Sequence, residues 1–399
     1  MNAKEILENK KVGFFFGAGI SLPSKVPNLG FCNNIIDLMQ CPHFHSKFFN
    51  LGTENEREVY RYVIECAIRV SEKKLNCRYA NIPETYGGFY EDVIDILEQN
   101  SIFDENWKVH SIDTELHEEI EKIESKYPNY WNRKQTQDIK SKIADICKHT
   151  VFYMKKIFFS LIYTPEDFNV KGYDLIRDFH NIKKEFSIYS LNNDLLMETF
   201  LHSNDIKWTD GFNEKGIYDG KFDGDVKYFK IHGSISDSRC GYEKKRFKSH
   251  SELCNRLRDV NFPPDILMGT VVKDSYYGQR FRERLEEFKQ NLESCDILFI
   301  SGFGFNDITI AGILNEWLSN GDKKRLIIRM YTPEGFNREQ MKSFYEESLR
   351  DSSLLKPVEE EPFKFSNGVI DINKFMQETT LDDLNVVFNN EDVKAYLGL

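Results

Sequence analysis

Three polar side chains with the chemistry of a hydrolytic site follow predicted strands of this sequence. Asn192 and Asp194 come after the apolar residues 186–191, and His232 comes after residues 226–231, which alternate polar and apolar side chains as a half-buried strand does. An imidazole titrates near neutral pH, which makes His232 a candidate general base. The Asn192 amide both donates and accepts hydrogen bonds, so it can orient a water molecule or a sugar hydroxyl. Asp194 could stabilise positive charge nearby, or it could cap the helix that follows it.

A two-glycine turn, Gly17–Gly19, follows the first apolar run, residues 12–16. An apolar strand that ends in Gly-x-Gly leaves room for a pyrophosphate against backbone N–H groups. The full dinucleotide fingerprint has a third glycine, and Leu22 occupies that position, so this segment alone fits a simple tight turn equally well. Ser21–Asn28 is polar and contains prolines, so we expect a loop that covers whatever the glycines hold.

A second glycine loop, Ser301–Gly304, follows the buried-strand pattern of residues 295–300. Asp307 ends this loop, and we expect it to cap the next helix rather than to bind a ligand. All of these motifs stand at strand exits, and doubly wound sheets place their chemistry at the carboxyl ends of strands. The sequence therefore predicts one nucleotide site that is built from several loops.

Apolar patterns divide the chain into three predicted regions. Residues 1–40 and 175–331 alternate strands with helices, which predicts an α/β domain with a parallel, right-handed, Rossmann-like sheet. Residues 41–174 show helical periodicity, so we expect a large helical insertion subdomain that caps the site. Residues 332–399 are too apolar for a disordered tail and predict a small C-terminal extension that docks on this chain or on a neighbour.

In their order along the chain, these motifs resemble those of the sirtuin family. The matching segments are Gly17-Ala18-Gly19-Ile20-Ser21 for the family's Gly-Ala-Gly-x-Ser, Pro27-Asn28 for its Pro-Asp, Ser190-Leu191-Asn192-Asn193-Asp194 for its Thr-Gln-Asn-x-Asp, His232-Gly233 for its His-Gly, and Ser301-Gly302-Phe303-Gly304 for its late Gly-Thr-Ser loop. The resemblance implies a sirtuin-type, Rossmann-like fold that binds NAD, with Asn192, His232 and Asp194 as catalytic residues. The NAD-binding residues that it implies are Gly17, Ala18, Gly19, Ser21, Pro27, Asn28, Ser190, Ser301, Gly302 and Gly304.

The cysteines distinguish this chain from the protein-deacylating sirtuins. Those enzymes carry a zinc ribbon of two closely spaced cysteine pairs, whereas none of the eight cysteines here stands in a Cys-x-x-Cys. We therefore expect no structural zinc and no other metal. The long helical segment between Ser21 and Asn192 is a second departure. The resemblance is closer to the sirtuin-like proteins of bacterial antiphage defence, and it implies an NAD⁺ glycohydrolase (NADase) that acts as the effector of abortive infection.

Hydrolysis of NAD requires groups that this chain contains. NAD carries a pyridinium leaving group on an anomeric carbon, so its cleavage passes through an oxocarbenium-like state, as in glycoside hydrolysis. Such a state needs a rigidly held ribose, a group that places the water, and a base. Two alternatives remain open. One is a protein deacylase or ADP-ribosyltransferase, which would need a groove for an acyl peptide or another acceptor. The other is a subunit that senses NAD or ADP-ribose without turnover.

Composition favours a cytoplasmic globular protein. A chain of 399 residues, 40% of them hydrophobic, can bury at least one full core. No secretory segment opens the sequence, and no run approaches the ~20 apolar residues that span a bilayer, so we expect no membrane contact. Scattered cysteines fit a reducing compartment. The net charge of -11 argues against direct nucleic-acid binding, and we expect the basic residues 244–246 to form a solvated loop.

An enzyme that destroys NAD would be lethal to its own cell if it were always active. We therefore expect weak activity of the free protein, and a trigger that opens the site by moving the helical insertion. The resembling proteins act with a hexameric DNA-translocating ATPase of the HerA type, with a prokaryotic Argonaute, or through fused sensor domains. The resemblance implies a separate sensor or ATPase partner, such as a HerA-type translocase, together with homo-oligomerisation.

Overall fold

The structure is a computed structural model, and the part of the chain that it describes has several gaps. The described residues are 10–24, 26, 32, 35–40, 53–75, 88–101, 114–132, 138–162, 170, 173–240, 243–246, 266–268, 278–303, 307–320 and 324–329. Among the sequence-predicted features, Pro27, Asn28, Gly304 and the extension 332–399 lie outside these ranges.

In the described part of the chain, six parallel strands form the central sheet, in the order β3-β4-β2-β1-β7-β8. The strands of this sheet are β1 (Val12–Phe16), β2 (Phe186–Ser190), β3 (Trp208–Thr209), β4 (Val226–Lys230), β7 (Ile297–Ser301) and β8 (Arg325–Arg329). A separate antiparallel hairpin is formed by β5 (Asp237–Cys240) and β6 (Glu243–Arg246). The predicted parallel, Rossmann-like α/β sheet is therefore confirmed.

The middle strands of the sheet are covered on both faces. All residues of β1, β2 and β7 are buried, and for this reason their sequences are nearly continuous apolar runs rather than alternating ones. Successive side chains of a strand point to opposite faces. Phe14 accordingly stacks on Phe299, with ring centroids 5.1 Å apart, while Phe15 lies on the other face, 5.9 Å from the ring of Phe288.

The described helices precede, connect and follow these strands. A 3₁₀ helix, Ala18–Ser24, follows β1. The α-helices are α1 (Ile35–Gln40), α2 (Glu54–Leu75), α3 (Gly88–Gln99), α4 (Thr114–Glu121), α5 (Ile123–Lys126), α6 (Pro128–Asn132), α7 (Ile139–Ile162), α8 (Asp174–Ile182), α9 (Leu196–Ser203), α10 (Gly278–Glu293) and α11 (Ile308–Ser319). Six of them, α2 to α7, lie within residues 41–174, where helices were expected.

Each face of the sheet has its own apolar core. The first core contains Phe14, Ile188 and Phe299 together with buried side chains from α1 to α9. The second contains Phe15, Tyr189 and further side chains from α10 and α11. The helices of residues 41–174 therefore share a single core with one face of the sheet.

The two cores show where the chain changes faces. The connection from β1 to β2 packs on the first face, whereas the helix between β7 and β8 packs on the second. The neighbouring strands β1 and β7 therefore flank the topological switch point of the sheet. Open α/β sheets have a crevice at this point, at the carboxyl ends of the strands, where they bind ligands.

Two segments differ from their expected local structure. Ser21–Ser24 was expected to be a loop, but it completes the 3₁₀ helix that starts at Ala18. A short 3₁₀ helix tolerates Pro23, because a proline near a helix end removes few hydrogen bonds. The basic residues 244–246 were expected to form a solvated loop, but they lie in β6, where they pair with β5. Within the described ranges, no helix is both long and apolar enough to cross a membrane.

Candidate functional site

The carboxyl ends of four adjacent strands lie in one row across the sheet. Phe16 pairs with Ser190 on one side and with Ser301 on the other, and Ser190 pairs with Lys230. The loops that follow these strands therefore start side by side. The sequence-predicted residues that the structure describes lie within these loops or at the strand ends themselves.

Asn192 and His232 occupy equivalent positions in this row. Asn192 lies two residues after Ser190, the last residue of β2, and His232 lies two residues after Lys230, the last residue of β4. Since Ser190 and Lys230 pair in the sheet, the two residues follow neighbouring strands by the same number of positions. Both residues are 8% exposed. The loops that carry them are also joined, because Ile235 N–H donates to the carbonyl oxygen of Asn193 at 3.0 Å.

A hydrogen-bonded chain fixes Asn192. Its Nδ2 donates to Ser21 Oγ at 3.0 Å, and Ser21 Oγ donates to Asp194 Oδ2 at 2.9 Å. The backbone N–H of Asn192 donates to Ser190 Oγ at 3.1 Å. The loop after β1 and the loop after β2 are therefore held together by side chains that the sequence assigned to one site.

Asp194 also holds the start of α9. Its Oδ1 accepts a hydrogen bond from the N–H of Leu196, the first residue of α9, at 3.0 Å, while the N-cap position of this helix is Leu195. Burial raises the pKa of the Asp194 carboxyl above its usual value, and the nearby Lys230 ammonium, Leu196 N–H and Ser21 hydroxyl oppose that shift. Asp194 therefore does not occupy the N-cap position that the sequence left open for it beside a catalytic role, but its hydrogen bonds join it to the start of α9.

His232 contacts a carboxylate that is distant from it in the sequence, that of Asp307. Its Nε2 lies 3.1 Å from Asp307 Oδ2, and the side chains of both residues are about nine-tenths buried. Asp307 Oδ1 accepts a hydrogen bond from Ile310 N–H at 3.1 Å, so Asp307 also caps α11 as expected. The contact with His232 was not foreseen, because nothing in the local sequence relates the two residues.

Two buried ion pairs brace the end of β4. Lys230 Nζ lies 2.8 Å from Glu198 Oε1 and also donates to the carbonyl oxygen of Asp194. Arg284 Nη2 lies 3.0 Å from Asp237 Oδ2. None of these four charged residues was foreseen from the sequence. An alternating strand pattern that ends in a lysine was the available signal for Lys230.

The two glycine loops contact each other through their main chains. A Cβ atom on Gly17 would lie 2.7 Å from Phe303 Cα, and one on Gly19 would lie 2.8 Å from Gly302 Cα. Gly302 itself has a φ of +69°, which favours glycine. These glycines are therefore required by close packing of the two loops.

Hydrogen bonds link the same loops. Gly17 N–H donates to Ser301 O at 3.0 Å, and Gly19 N–H donates to Gly302 O at 2.9 Å. Two of the N–H groups that the sequence assigned to a pyrophosphate therefore bond to protein carbonyl groups. Ala18, between them, is exposed at the surface of the turn.

Among the described residues, no group of three or more His, Cys, Asp or Glu side chains could hold a metal ion. The described cysteines Cys32, Cys66, Cys147 and Cys295 are buried and free.

Comparison with known proteins assigns part of the chain to a family. The family model described as the SIR2-like domain matches residues 187–351. No curated protein matches the chain. One solved structure that the chain resembles is described as "Structural Basis for the Mechanism and Regulation of Sir2 Enzymes", with a TM-score of 0.33 and 13% identity over 88% of this chain and 97% of that one. A SIR2-like domain indicates an enzyme of the NAD-dependent kind. Residues 187–351 of this chain are therefore similar to a SIR2-like domain.

Proposed function

We propose that this protein is an NAD⁺ glycohydrolase, which cleaves the bond between nicotinamide and ribose and releases nicotinamide and ADP-ribose. We further propose that it acts when triggered, as the effector of an antiphage (abortive infection) defence system. The motif resemblance supports the defence role. The observation that carries the chemistry is the equivalent placement of Asn192 and His232 beyond neighbouring strands.

The residues at the strand ends fit a dinucleotide. They lie beside the topological switch point of the sheet, where open α/β folds bind nucleotides. Ser21, Asn192 and Ser190 offer hydroxyl and amide groups that can bond to ribose and phosphate oxygens. When bound, NAD supplies a pyridinium leaving group on its ribose.

The residues divide the proposed reaction between them. Asn192, fixed by Ser21, orients the water molecule or the ribose hydroxyls. His232 accepts the proton that the water loses as its oxygen bonds to the anomeric carbon. The carbon–nitrogen bond breaks with its electron pair going to nicotinamide, which neutralises the pyridinium. Charges and atoms balance without a metal or a second cofactor.

A nicotinamide-release assay tests this function. The purified full-length chain is incubated with NAD⁺, and nicotinamide and ADP-ribose are quantified by chromatography. We expect many turnovers without any peptide substrate. We expect His232→Ala and Asn192→Ala to lower kcat by 10²-fold or more, because each removes a group that acts on the reacting atoms. His202→Ala, which changes an exposed histidine at the end of α9, is the matched control and should retain the parent rate.

Other outcomes select the alternatives. Stoichiometric or absent nicotinamide release favours a sensing subunit, and release that depends on an acylated peptide favours a deacylase. A His232→Ala variant with the parent rate would contradict the assignment of the base. In bacteria that carry the gene with its genomic neighbours, phage infection should deplete NAD in the parent and not in the His232→Ala strain. Unchanged NAD after infection would contradict the defence role.

A further inference from the structure

We propose that Asp307 is a positioning residue for His232, which it orients and whose charged form it stabilises through the loop after β7. This inference rests on the proposed function, because it is His232 that accepts the proton there. It adds a residue that the sequence assigned only to helix capping.

The geometry is that of a carboxylate–imidazole pair. Asp307 Oδ2 and His232 Nε2 are 3.1 Å apart, and little of either side chain reaches solvent. A carboxylate this close to one ring nitrogen favours the ring orientation and the tautomer that place an N–H next to it. A negative charge at this distance also favours the protonated ring, and the interaction is screened less in a buried site than in water.

Asp307 is itself held by the fold. Its backbone is extended, as at most N-caps, and its Oδ1 accepts the N–H of Ile310. One carboxylate oxygen is therefore fixed by the first turn of α11, while the other faces the His232 ring. The N-terminus of a helix favours a negative charge. Since α11 packs on the sheet through Ile310 and Leu314, the carboxylate is anchored to the core.

The other described charged groups around the end of β4 have partners of their own. Lys230 pairs with Glu198, and Arg284 pairs with Asp237. Asp194, at the start of α9, accepts hydrogen bonds from Ser21 and from Leu196. Among the described carboxylates, that of Asp307 lies 3.1 Å from the His232 ring. Its removal should therefore change the charge next to this ring.

Two substitutions separate the ring contact from the cap. Asp307→Asn and Asp307→Ser both retain an N-cap, because Asn and Ser cap helices as well as Asp does. Asn keeps the shape but loses the charge, and Ser is too short to reach the ring. Asp138→Asn is the matched control, since Asp138 accepts the N–H of Ser141 at the start of α7, far along the chain from the site.

The experiment follows the His232 ring directly by NMR. The full-length chain is labelled with ¹³C-histidine, and His232→Asn identifies its signal among those of the nine histidines. We expect the titration midpoint of this signal to move about one pH unit lower in both Asp307 variants, because the charge that favours the protonated ring is gone. The Asp138→Asn midpoint should equal that of the parent. A midpoint that is unchanged in both Asp307 variants overturns the proposal.

Kinetics supply the second readout. We expect kcat to fall at least tenfold in Asp307→Asn while KM changes less, and the acidic limb of the rate profile to move to lower pH with the ring. An unchanged kcat in an active enzyme also overturns the positioning role. If the parent releases no nicotinamide, the proposed function fails, while the NMR titration still decides whether Asp307 controls His232.

Discussion

At the scale of single residues, burial and hydrogen bonding have opposite effects on the ionisation of the Asp194 carboxylate. Its two oxygens accept hydrogen bonds from Ser21 and from Leu196 N–H, so it joins the loop after β1 to the start of α9. Burial nevertheless opposes its ionised form and raises its pKa. The folded state therefore binds a proton at Asp194 more tightly than the unfolded state does.

This difference in proton affinity predicts a pH dependence of stability. Because the folded pKa lies above the usual 3.8, the contribution of Asp194 is largest at low pH and is lost as the pH rises through the folded pKa. In Asp194→Asn that loss is absent, so the free energy of unfolding of the parent should decline relative to the variant as the pH rises, by up to about 1.4 kcal/mol per pH unit. Urea unfolding at a series of pH values from the usual 3.8 up to neutral pH measures it.

The control for this experiment is Asp223→Asn, at an exposed position. Its unfolding curve should stay parallel to that of the parent across the same pH range. A parallel curve for Asp194→Asn as well would show that Asp194 has the same proton affinity in both states.

Residue types were easier to predict than residue contacts. Asn192, Asp194 and His232 could be selected from the sequence because each follows a strand pattern, apolar before Asn192 and Asp194 and alternating before His232. The partner of His232 could not, since Asp307 follows a different strand and the two meet only because β4 and β7 belong to the same sheet. Lys230 was missed for a similar reason, because its carboxylate partner Glu198 lies on α9.

At the scale of elements, the loops after β1 and β7 pack closely against each other. Their glycines are adjacent, and the atoms that approach them are main-chain atoms. An added methyl group cannot be accommodated by a side-chain rotation, so one loop would have to move away from the other. The hydrogen bonds between the loops would then stretch or break.

Two glycine substitutions test this contact. Gly302→Ala should lower the free energy of unfolding by about 2 kcal/mol or more, because its φ is +69° and the new Cβ would lie 2.7 Å from Gly19 C. Gly312→Ala, within α11, meets no atom within 4 Å and should raise it by about 0.5 to 1 kcal/mol. Denaturant unfolding of both variants gives the comparison. Equal effects would mean that the loops do not pack as described.

Long elements were predicted well and short ones were not. Helical periodicity indicated helices within residues 41–174, where the long helices α2 and α7 lie, since apolar residues recur on one face over many turns. β3 has only two residues, which is too few for any period to be visible. The extent of the 3₁₀ helix after β1 was also missed, because Pro23 indicates a loop when only sequence is considered.

At the scale of the whole molecule, the first core links the helices of residues 41–174 to the sheet. Side chains of α2, α3 and α7 belong to the same contiguous cluster as Phe14 in the central strand. A rigid movement of these helices away from the sheet would expose apolar surface, at about 25 cal/mol for each Å². Any partner or ligand that moved these helices away from the sheet would have to offset that cost.

Hydrogen exchange can show whether this shared core unfolds as one unit. Ile64, in α2, is fully buried, and Ile64→Ala should lower global stability by about 2 to 5 kcal/mol. Because the core is shared, exchange of the slowest β1 amides should accelerate with it. Ile139→Ala removes an isoleucine that is 42% exposed and should leave their exchange near the parent rate. Unchanged β1 exchange in Ile64→Ala would show that the helices form an independent unit.

The order of the strands determines which fragments of this chain can form a continuous sheet. The family match starts inside β2, and so it excludes β1, the strand that separates β2 from β7 in the sheet. A fragment limited to the matching residues would lack the strand between β2 and β7. The edges of β2 and β7 that pair with β1 would then carry unpaired backbone N–H and C=O groups. The segment that matches the family model is therefore shorter than the segment that is needed to form a continuous sheet.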